Sequence, residues 1–305
     1  MARFKDDKYR NWLKTTESLL ILREGIRPFL ENETENYHFT LQSKLSSTLK
    51  EAICQNKCDG SEWENKIPDC KVCTPWKKEL VANHAKSRPM IYWNNCMPYL
   101  WPKEKWEVAK VYMPKGHRGH TTYDDFDIAA LLNLMGHCAH FRKFIKGQQI
   151  HKVINVRNCV MHSPNHTVTN QDFQEHLEKI KDFVHLLDKY ANDLKMLPDE
   201  IDKSCEAVDT GLRCFIYQSM AGNIRYIPTV ELTKIEQRAL KEKIEYLTQC
   251  CEEDQEDIKE DIKGIWNFVQ KNEDLKVKLA PQMEQLLSKN RWLEDLKEST
   301  FCYLF

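Results

Sequence analysis

Residues 148–162 read QQIHKVINVRNCVMH, and their spacing predicts a helix with two unlike faces. At about 100° per residue, Val153, Val156 and Val160 fall on one apolar ridge, with Ile150, Ile154 and Met161 on another beside it. His151, Asn155, Asn158 and His162 line a polar strip about 60° wide, at steps of four, three and four. A solvated face would more often carry Lys and Glu, so a His/Asn strip suits a pocket or a polar interface. Arg157 points about 120° away from that strip, into the arc of Ile150, Ile154 and Met161. A guanidinium placed there needs partners.

The same spacing extends to both sides. Helical periodicity is expected over 124–145 and 169–191, with Asp124 or Asp125 and Thr169 as caps and Ser163-Pro164 stopping the middle helix. Residues 6–30, carrying Trp12, Leu13, Leu19, Leu20, Leu22 and Ile26, and 36–53, carrying Leu41, Leu45, Leu49 and Ile53, read as two antiparallel helices. The segment from Pro198 to Pro228 is mixed, and two or three further helices follow Val230. Composition agrees with an all-α fold: 9 Gly in 305 residues leave little for turn-rich barrels or Rossmann loops, and no Gly-rich phosphate loop or GxSxG elbow occurs. The expected organisation is an N-terminal helical pair at 1–53, a Cys/Trp/Pro-rich segment at 54–120, a helical core at 121–195 and a C-terminal helical region at 199–305. No internal repeat is present.

The segment after the first helical pair cannot be one long helix. Six of the 11 prolines lie between Pro68 and Pro114, and Trp63, Trp76, Trp93, Trp101 and Trp106 crowd the same stretch. The tryptophans are expected to pack there, base stacking being their other use. Cys54, Cys58, Cys70 and Cys73 have the spacing of a four-cysteine structural zinc site, each close pair holding one side of the ion. His84 or Cys96 could replace a ligand. Four cysteine ligands leave no open position, so no catalytic metal is expected. The alternative reading of the four is ordinary buried thiols.

Charge is balanced overall, 45 Lys+Arg against 46 Asp+Glu, yet Ile128 to Gln171 holds no acid in 44 positions. That window carries Arg142, Lys143, Lys146, Lys152 and Arg157 and five of the 11 histidines. Such a hairpin presents positive potential, for which RNA is the natural ligand, with His151, Lys152, Asn155, Arg142 and Lys143 as contacts. An acidic run, Glu252, Glu253, Asp254, Glu256, Asp257, Glu260 and Asp261, could mimic RNA and cover the hairpin, or be a solvated face. The first residues contain no apolar leader and no run of about 18 apolar residues follows, so a cytoplasmic or nuclear protein without membrane contact is expected.

Arg157-Asn158-Cys159-Val160-Met161-His162 resembles the RNxxxH form of the motif of the HEPN superfamily. The preceding DDFDIAALLNLMGHCAHF, residues 124–141, is similar to the helix before the motif in HEPN domains of the DAZ-interacting zinc-finger protein type. The resemblance implies a helical bundle that often dimerises through its core and, in active members, a metal-independent endoribonuclease leaving 2',3'-cyclic phosphate. By it, His162 handles a proton, Arg157 stabilises phosphorane charge and Asn158 orients His162 or the phosphate. Active members often place an acidic or polar residue just upstream of the Arg, where this chain has Asn155 and His151. Arg157 and His162 lie about 140° apart on one helix, so a second helix facing the first is needed to complete a site. The alternative is a HEPN fold that dimerises or docks proteins, through its C-terminal helices among others, without cutting.

A second resemblance covers most of the chain. Asn11-Trp12-Leu13-Lys14, Cys70-Lys71-Val72-Cys73 with Trp76-Lys77, Trp93-Asn94-Asn95-Cys96, Trp106 to Lys110, Met113 to Gly116, Arg157 to Ser163 and Asn272 to Leu275 are similar to a vertebrate family. That family is named for an uncharacterised open reading frame on the human X chromosome.

Overall fold

The computed structural model describes residues 2–45, 54–61, 70–220, 230–250 and 256–289, with side chains placed except at 2, 211–220, 249, 250, 256 and 257. Among these residues there are eleven α-helices, several short 3-10 turns and no strand. The helices are α1 (Asp7–Gly25), α2 (Arg27–Lys44), α3 (Cys73–Ala82), α4 (Lys105–Ala109), α5 (Ile128–His137) and α6 (Gly147–Met161). They continue with α7 (Asn170–Leu187), α8 (Leu197–Met220), α9 (Val230–Cys250), α10 (Glu256–Lys271) and α11 (Glu273–Lys289). The all-α expectation stands.

The chain forms two compact units from non-contiguous stretches. One takes Met1–Ser18, Val156–Leu177 and Asp199–Phe305; the other takes Leu19–Asn155 and Glu178–Pro198. In the first, α9 buries Leu232, Ile235, Ala239, Leu240, Ile244 and Leu247, a three-and-four spacing that gives one apolar face. It packs on α11 through Leu275, Leu279, Met283 and Leu286, and α10 adds Ile258, Ile262, Ile265 and Val269. Each such buried aliphatic side chain contributes about 1.5–3 kcal/mol by leaving water. Gly264 of α10 lies so close to the turn after α6 that a Cβ there would stand 2.6 Å from the Pro164 carbonyl oxygen. Trp12 is fully buried and donates its indole N–H to the Val160 carbonyl at 2.9 Å. At the far end, Arg3 ion-pairs with Glu236 at 2.5 Å and Asp274 at 2.7 Å, and the Tyr9 hydroxyl donates to Glu236 at 2.7 Å.

In the second unit the Trp- and Pro-rich segment is packed interior, as expected of the tryptophans. Trp76 and Trp101 are fully buried, and Trp106 meets the Tyr123 ring edge to face and the Phe126 ring at a tilt. Hydrogen bonds do what regular elements cannot: His38 Nε2 meets the Trp101 carbonyl at 2.7 Å, and the Tyr112 hydroxyl donates to the Leu80 carbonyl at 3.0 Å. Lys110 is fully buried, ion-paired with Glu107 and donating to the Arg118 carbonyl at 3.1 Å. Trp93 is half-buried under the Lys77 ammonium at 4.4 Å. Trp63 lies outside the described residues.

Several expected boundaries move. The first helical pair breaks at Arg27-Pro28, because proline is tolerated only in a first turn. Leu49 and Ile53 lie outside the described residues. The helix expected over 124–145 is three pieces, a 3-10 turn at Tyr123–Asp125, α5, and a 3-10 turn at Ala139–Lys143. Cys138 adopts an extended conformation between the last two and bridges to His84, which ends α5. Asp127, not Asp124 or Asp125, caps α5, accepting from the Ala130 N–H at 2.7 Å, while Asp125 completes a capping box with Thr122. Thr169 caps α7 as expected, accepting from the Asp172 N–H at 3.1 Å. The segment expected to be mixed is the continuous helix α8 as far as Met220, since Ile201, Cys205 and Val208 keep helical spacing and are buried, and 221–228 lie outside the described residues. No helix among the described residues is long and apolar enough to cross a membrane.

Candidate functional site

The four cysteines come together in the second unit. Cys54 follows α2 by a stretch outside the described residues, and Lys57, at φ 45°, turns the chain so that Cys58 faces Cys54. Gly60 then donates to the Cys96 carbonyl at 3.1 Å and leaves no room for a side chain, since a Cβ would stand 1.8 Å from the Trp93 carbonyl oxygen. The second pair sits at the start of α3, where the Cys73 N–H points at Cys70 Sγ at 3.4 Å. Sγ of Cys54 lies 3.6 Å from that of Cys58 and 3.7 Å from that of Cys70, and all four sulfurs are within 4.8 Å of one another. All four are buried. Burial and neighbouring thiols push Cys58 up to about 12 and raise Cys73, while at Cys70 N–H groups of Cys73 and Val72 outweigh burial and bring it down to about 7. Four buried sulfurs with one thiol tuned toward thiolate are compatible with a structural metal site.

Neither His84 nor Cys96 shares this cluster. His84 stacks on His137 with ring centroids 5.3 Å apart, and burial beside that second imidazole lowers its pKa to about 4. Cys96 is fully buried and offers its carbonyl to Gly60.

Arg157, Asn158 and His162 meet in the first unit around Tyr246 of α9. Arg157 is 5% exposed, its guanidinium carbon stands 3.9 Å from the Tyr246 ring centroid, and Nη1 donates to Asn158 Oδ1 at 3.4 Å. His162 uses both ring nitrogens: Nδ1 lies 3.0 Å from Asp261 Oδ2, and Nε2 lies 2.6 Å from the Tyr246 hydroxyl. An ionised carboxylate only accepts, so Nδ1 donates to Asp261, and in the neutral ring Nε2 then accepts from the Tyr246 hydroxyl. Asp261 is 3% exposed, whereas the His162 side chain is 39% exposed. Lys243, fully buried, donates to the Ser163 carbonyl at 2.5 Å, and burial lowers its pKa to about 8 against the opposing pull of Asp261.

Tyr246, Asp261 and Lys243 were not among the expected site residues. Lys243 and Asp261 fall on the apolar phase of α9 and α10, three residues after Leu240 and Ile258, which is the signal that marks them. Of the acidic run, Glu252, Glu253 and Asp254 lie outside the described residues, and Asp261 faces inward rather than forming a solvated face. Two helices of one chain bring a partner to Arg157 and His162 despite the wide angle between them on α6.

The remaining sequence-derived contacts are placed differently. His151, Lys152 and Asn155 are exposed on the second unit's part of α6, so that part of the polar strip faces solvent. Arg142 is exposed but donates to the Ala85 carbonyl at 2.6 Å, and Lys143 lies 3.3 Å from Glu33 and over the Phe144 ring at 4.5 Å.

Comparison with known proteins matches the chain to an uncharacterised mouse protein, the CXorf38 homolog of Mus musculus. It is 28% identical over 305 residues, covering 94% of this chain and 91% of that protein. No solved structure matches. A family model described as a domain of unknown function, DUF4559, matches residues 3–299, and the chain belongs to that family.

Proposed function

We propose that this chain is a HEPN-type helical protein held together by a structural zinc ion, and that Arg157, Asn158 and His162 are the reacting set of a metal-independent endoribonuclease. The observation that carries the reading is Asp261 at 3.0 Å from His162 Nδ1. A buried carboxylate there fixes the tautomer that leaves Nε2 as base, and it supplies the acid that residues 151–156 lack. The 2'-hydroxyl of RNA would give its proton to Nε2 as its oxygen bonds to the adjacent phosphorus. The P–O5' bond then breaks, the leaving 5'-oxygen takes that proton back from Nε2, and the products are a 2',3'-cyclic phosphate and a 5'-hydroxyl with His162 restored. Arg157 stabilises the added negative charge. Tyr246 occupies Nε2 in this conformation, so it must swing aside before RNA can react. The zinc reading rests on geometry as well: sulfurs about 2.3 Å from one tetrahedral ion lie about 3.8 Å apart, close to the 3.6 and 3.7 Å here. RNA is the partner this reading requires, with exposed His151, Lys152 and Asn155 and, beyond them, Arg142 and Lys143 toward its phosphates. Pairing of two HEPN cores and a cytoplasmic or nuclear setting belong to the same reading.

A second reading, a non-catalytic scaffold that docks other chains, is favoured by the burial of Arg157 against Tyr246. Labelled single-stranded RNA incubated in EDTA separates the two. Cyclic-phosphate ends are expected with the wild type, none with His162→Ala, and faster cleavage with Tyr246→Phe, which frees Nε2 and keeps the ring over Arg157. Intact RNA with both wild type and Tyr246→Phe refutes the nuclease and leaves the scaffold.

A further inference from the structure

A second feature of the first unit lies away from His162. Between α9 and α11 runs a cleft of about 310 Å³ lined by Lys234, Gln237, Arg238, Lys241, Lys278, Leu279 and Gln282. The first four recur at i, i+3, i+4 and i+7, so they share one stripe of α9, and the others come from α11. Four cations therefore face one small volume. Arg238 is anchored by Glu17, and Lys241 lies 3.6 Å from Glu245. Lys234 and Lys278 are exposed and make no ion pair among the described residues. With Glu231, which lies close enough to Glu17 to raise its pKa, three carboxylates stand against four cations, and the cleft keeps a positive surplus of one suited to phosphate.

One lining group does not fit a bare anion. Gln282 Oε1 is buried and has no hydrogen-bond partner among the described residues. A buried acceptor without a donor costs about 1–3 kcal/mol. An oxygen in that position, among cationic donors, calls for a ligand that carries a hydroxyl beside its phosphate. Leu279 gives the cleft an apolar floor against which a sugar ring can lie. A volume of this size is at the small end of ligand sites, enough for one nucleotide unit.

We infer that the α9–α11 cleft binds a ribose phosphate, the phosphate held by Lys234, Lys241 and Lys278 with Arg238, and a ribose hydroxyl donating to Gln282 Oε1. The inference goes beyond the cleavage reading, because none of these side chains belongs to the Arg157–His162 set. The same chemistry has two sources, a free mononucleotide and a strand of RNA. The experiment uses the full chain and measures binding of 5'-AMP by calorimetry, and of a fluorescent oligo(rA) and the matching oligo(dA) by anisotropy. Saturable binding of 5'-AMP supports a nucleotide site; binding of oligo(rA) but not 5'-AMP supports a strand site. In either case Lys234→Glu with Lys278→Glu, both at exposed positions, is expected to weaken binding at least tenfold with an unchanged melting temperature. Gln282→Met is expected to abolish the preference for ribose over deoxyribose. The inference is overturned if neither probe binds, if the double charge reversal binds as the wild type does, or if oligo(dA) binds the wild type as tightly as oligo(rA). RNA cleavage by the double variant is scored separately, so failure of the cleft and failure of the nuclease are distinguishable.

Discussion

Replacing Asp261 by Asn keeps the shape of the side chain and removes its charge. The structure says what that charge does: it accepts from His162 Nδ1 at 3.0 Å and opposes the desolvation of the fully buried Lys243. Lys243 and Asp261 attract through the interior without a direct contact, so the loss stays below the about 3–5 kcal/mol of a broken buried ion pair. His162 is 39% exposed, so solvent screens its share to well under about 1 kcal/mol and most of the loss belongs to Lys243. Lys243 can also shed its proton, since its pKa is already down to about 8. An expected loss of about 1–2 kcal/mol at pH 7 follows, a urea midpoint lower by roughly 0.5 M at an m of about 3 kcal/mol/M. The sign of the pH dependence is the sharper test. Between about 8 and 10.5 the unfolded lysine binds more protons than the folded one, so stability rises with pH through that window. At pH 9.5 Lys243 is mostly neutral when folded, and the charge of Asp261 has less to offset. The Asn variant should therefore lose markedly less stability at pH 9.5 than at pH 7. Equal losses at the two pH values, or a loss below about 0.5 kcal/mol at pH 7, would show that Lys243 does not depend on Asp261.

Two further outcomes are expected. Metal analysis of purified protein should find about one zinc per chain, lost in Cys70→Ser with Cys73→Ser together with a fall in melting temperature; a wild type that is folded and metal-free removes the zinc reading. Burial lowers the pKa values of His166, His84, His38 and His137, so the folded chain takes up fewer protons at these side chains than the unfolded chain does below about 6.5. Melting temperature should accordingly fall between pH 7 and pH 5, before most carboxylates titrate, and a flat profile over that range would contradict the burial of these imidazoles.

The helices whose apolar spacing is unbroken were legible in the sequence, α6 and α7 to within a residue or a turn. The break after α5 was not, because Cys138 carries no sign of the extended conformation that its bridge to His84 imposes. The cysteine cluster was legible from spacing alone, since ligand pairs close in sequence need only one loop to meet. The exclusion of His84 and Cys96 depended on tertiary placement. Arg157 was legible as a buried cation from its phase on α6. Its aromatic partner was not, because Tyr246 lies 84 residues beyond His162, and nothing local ties a tyrosine on one amphipathic helix to a histidine on another.

The first unit is assembled from the two ends of the chain and a piece of its middle, which sets an order of events during synthesis. Tyr9 waits for Glu236, 227 residues later, and Trp12 for Val160, 148 residues later. At about 5–20 residues per second, the first eighteen residues are outside the ribosome for on the order of tens of seconds before their partners exist. Throughout that interval Tyr9, Trp12 and Leu13 are nascent apolar surface, the kind of segment that chaperones hold. A message truncated before α9 would still bring Val160 to Trp12 but would leave Tyr9 without Glu236, its hydroxyl unpaired beside uncovered apolar surface.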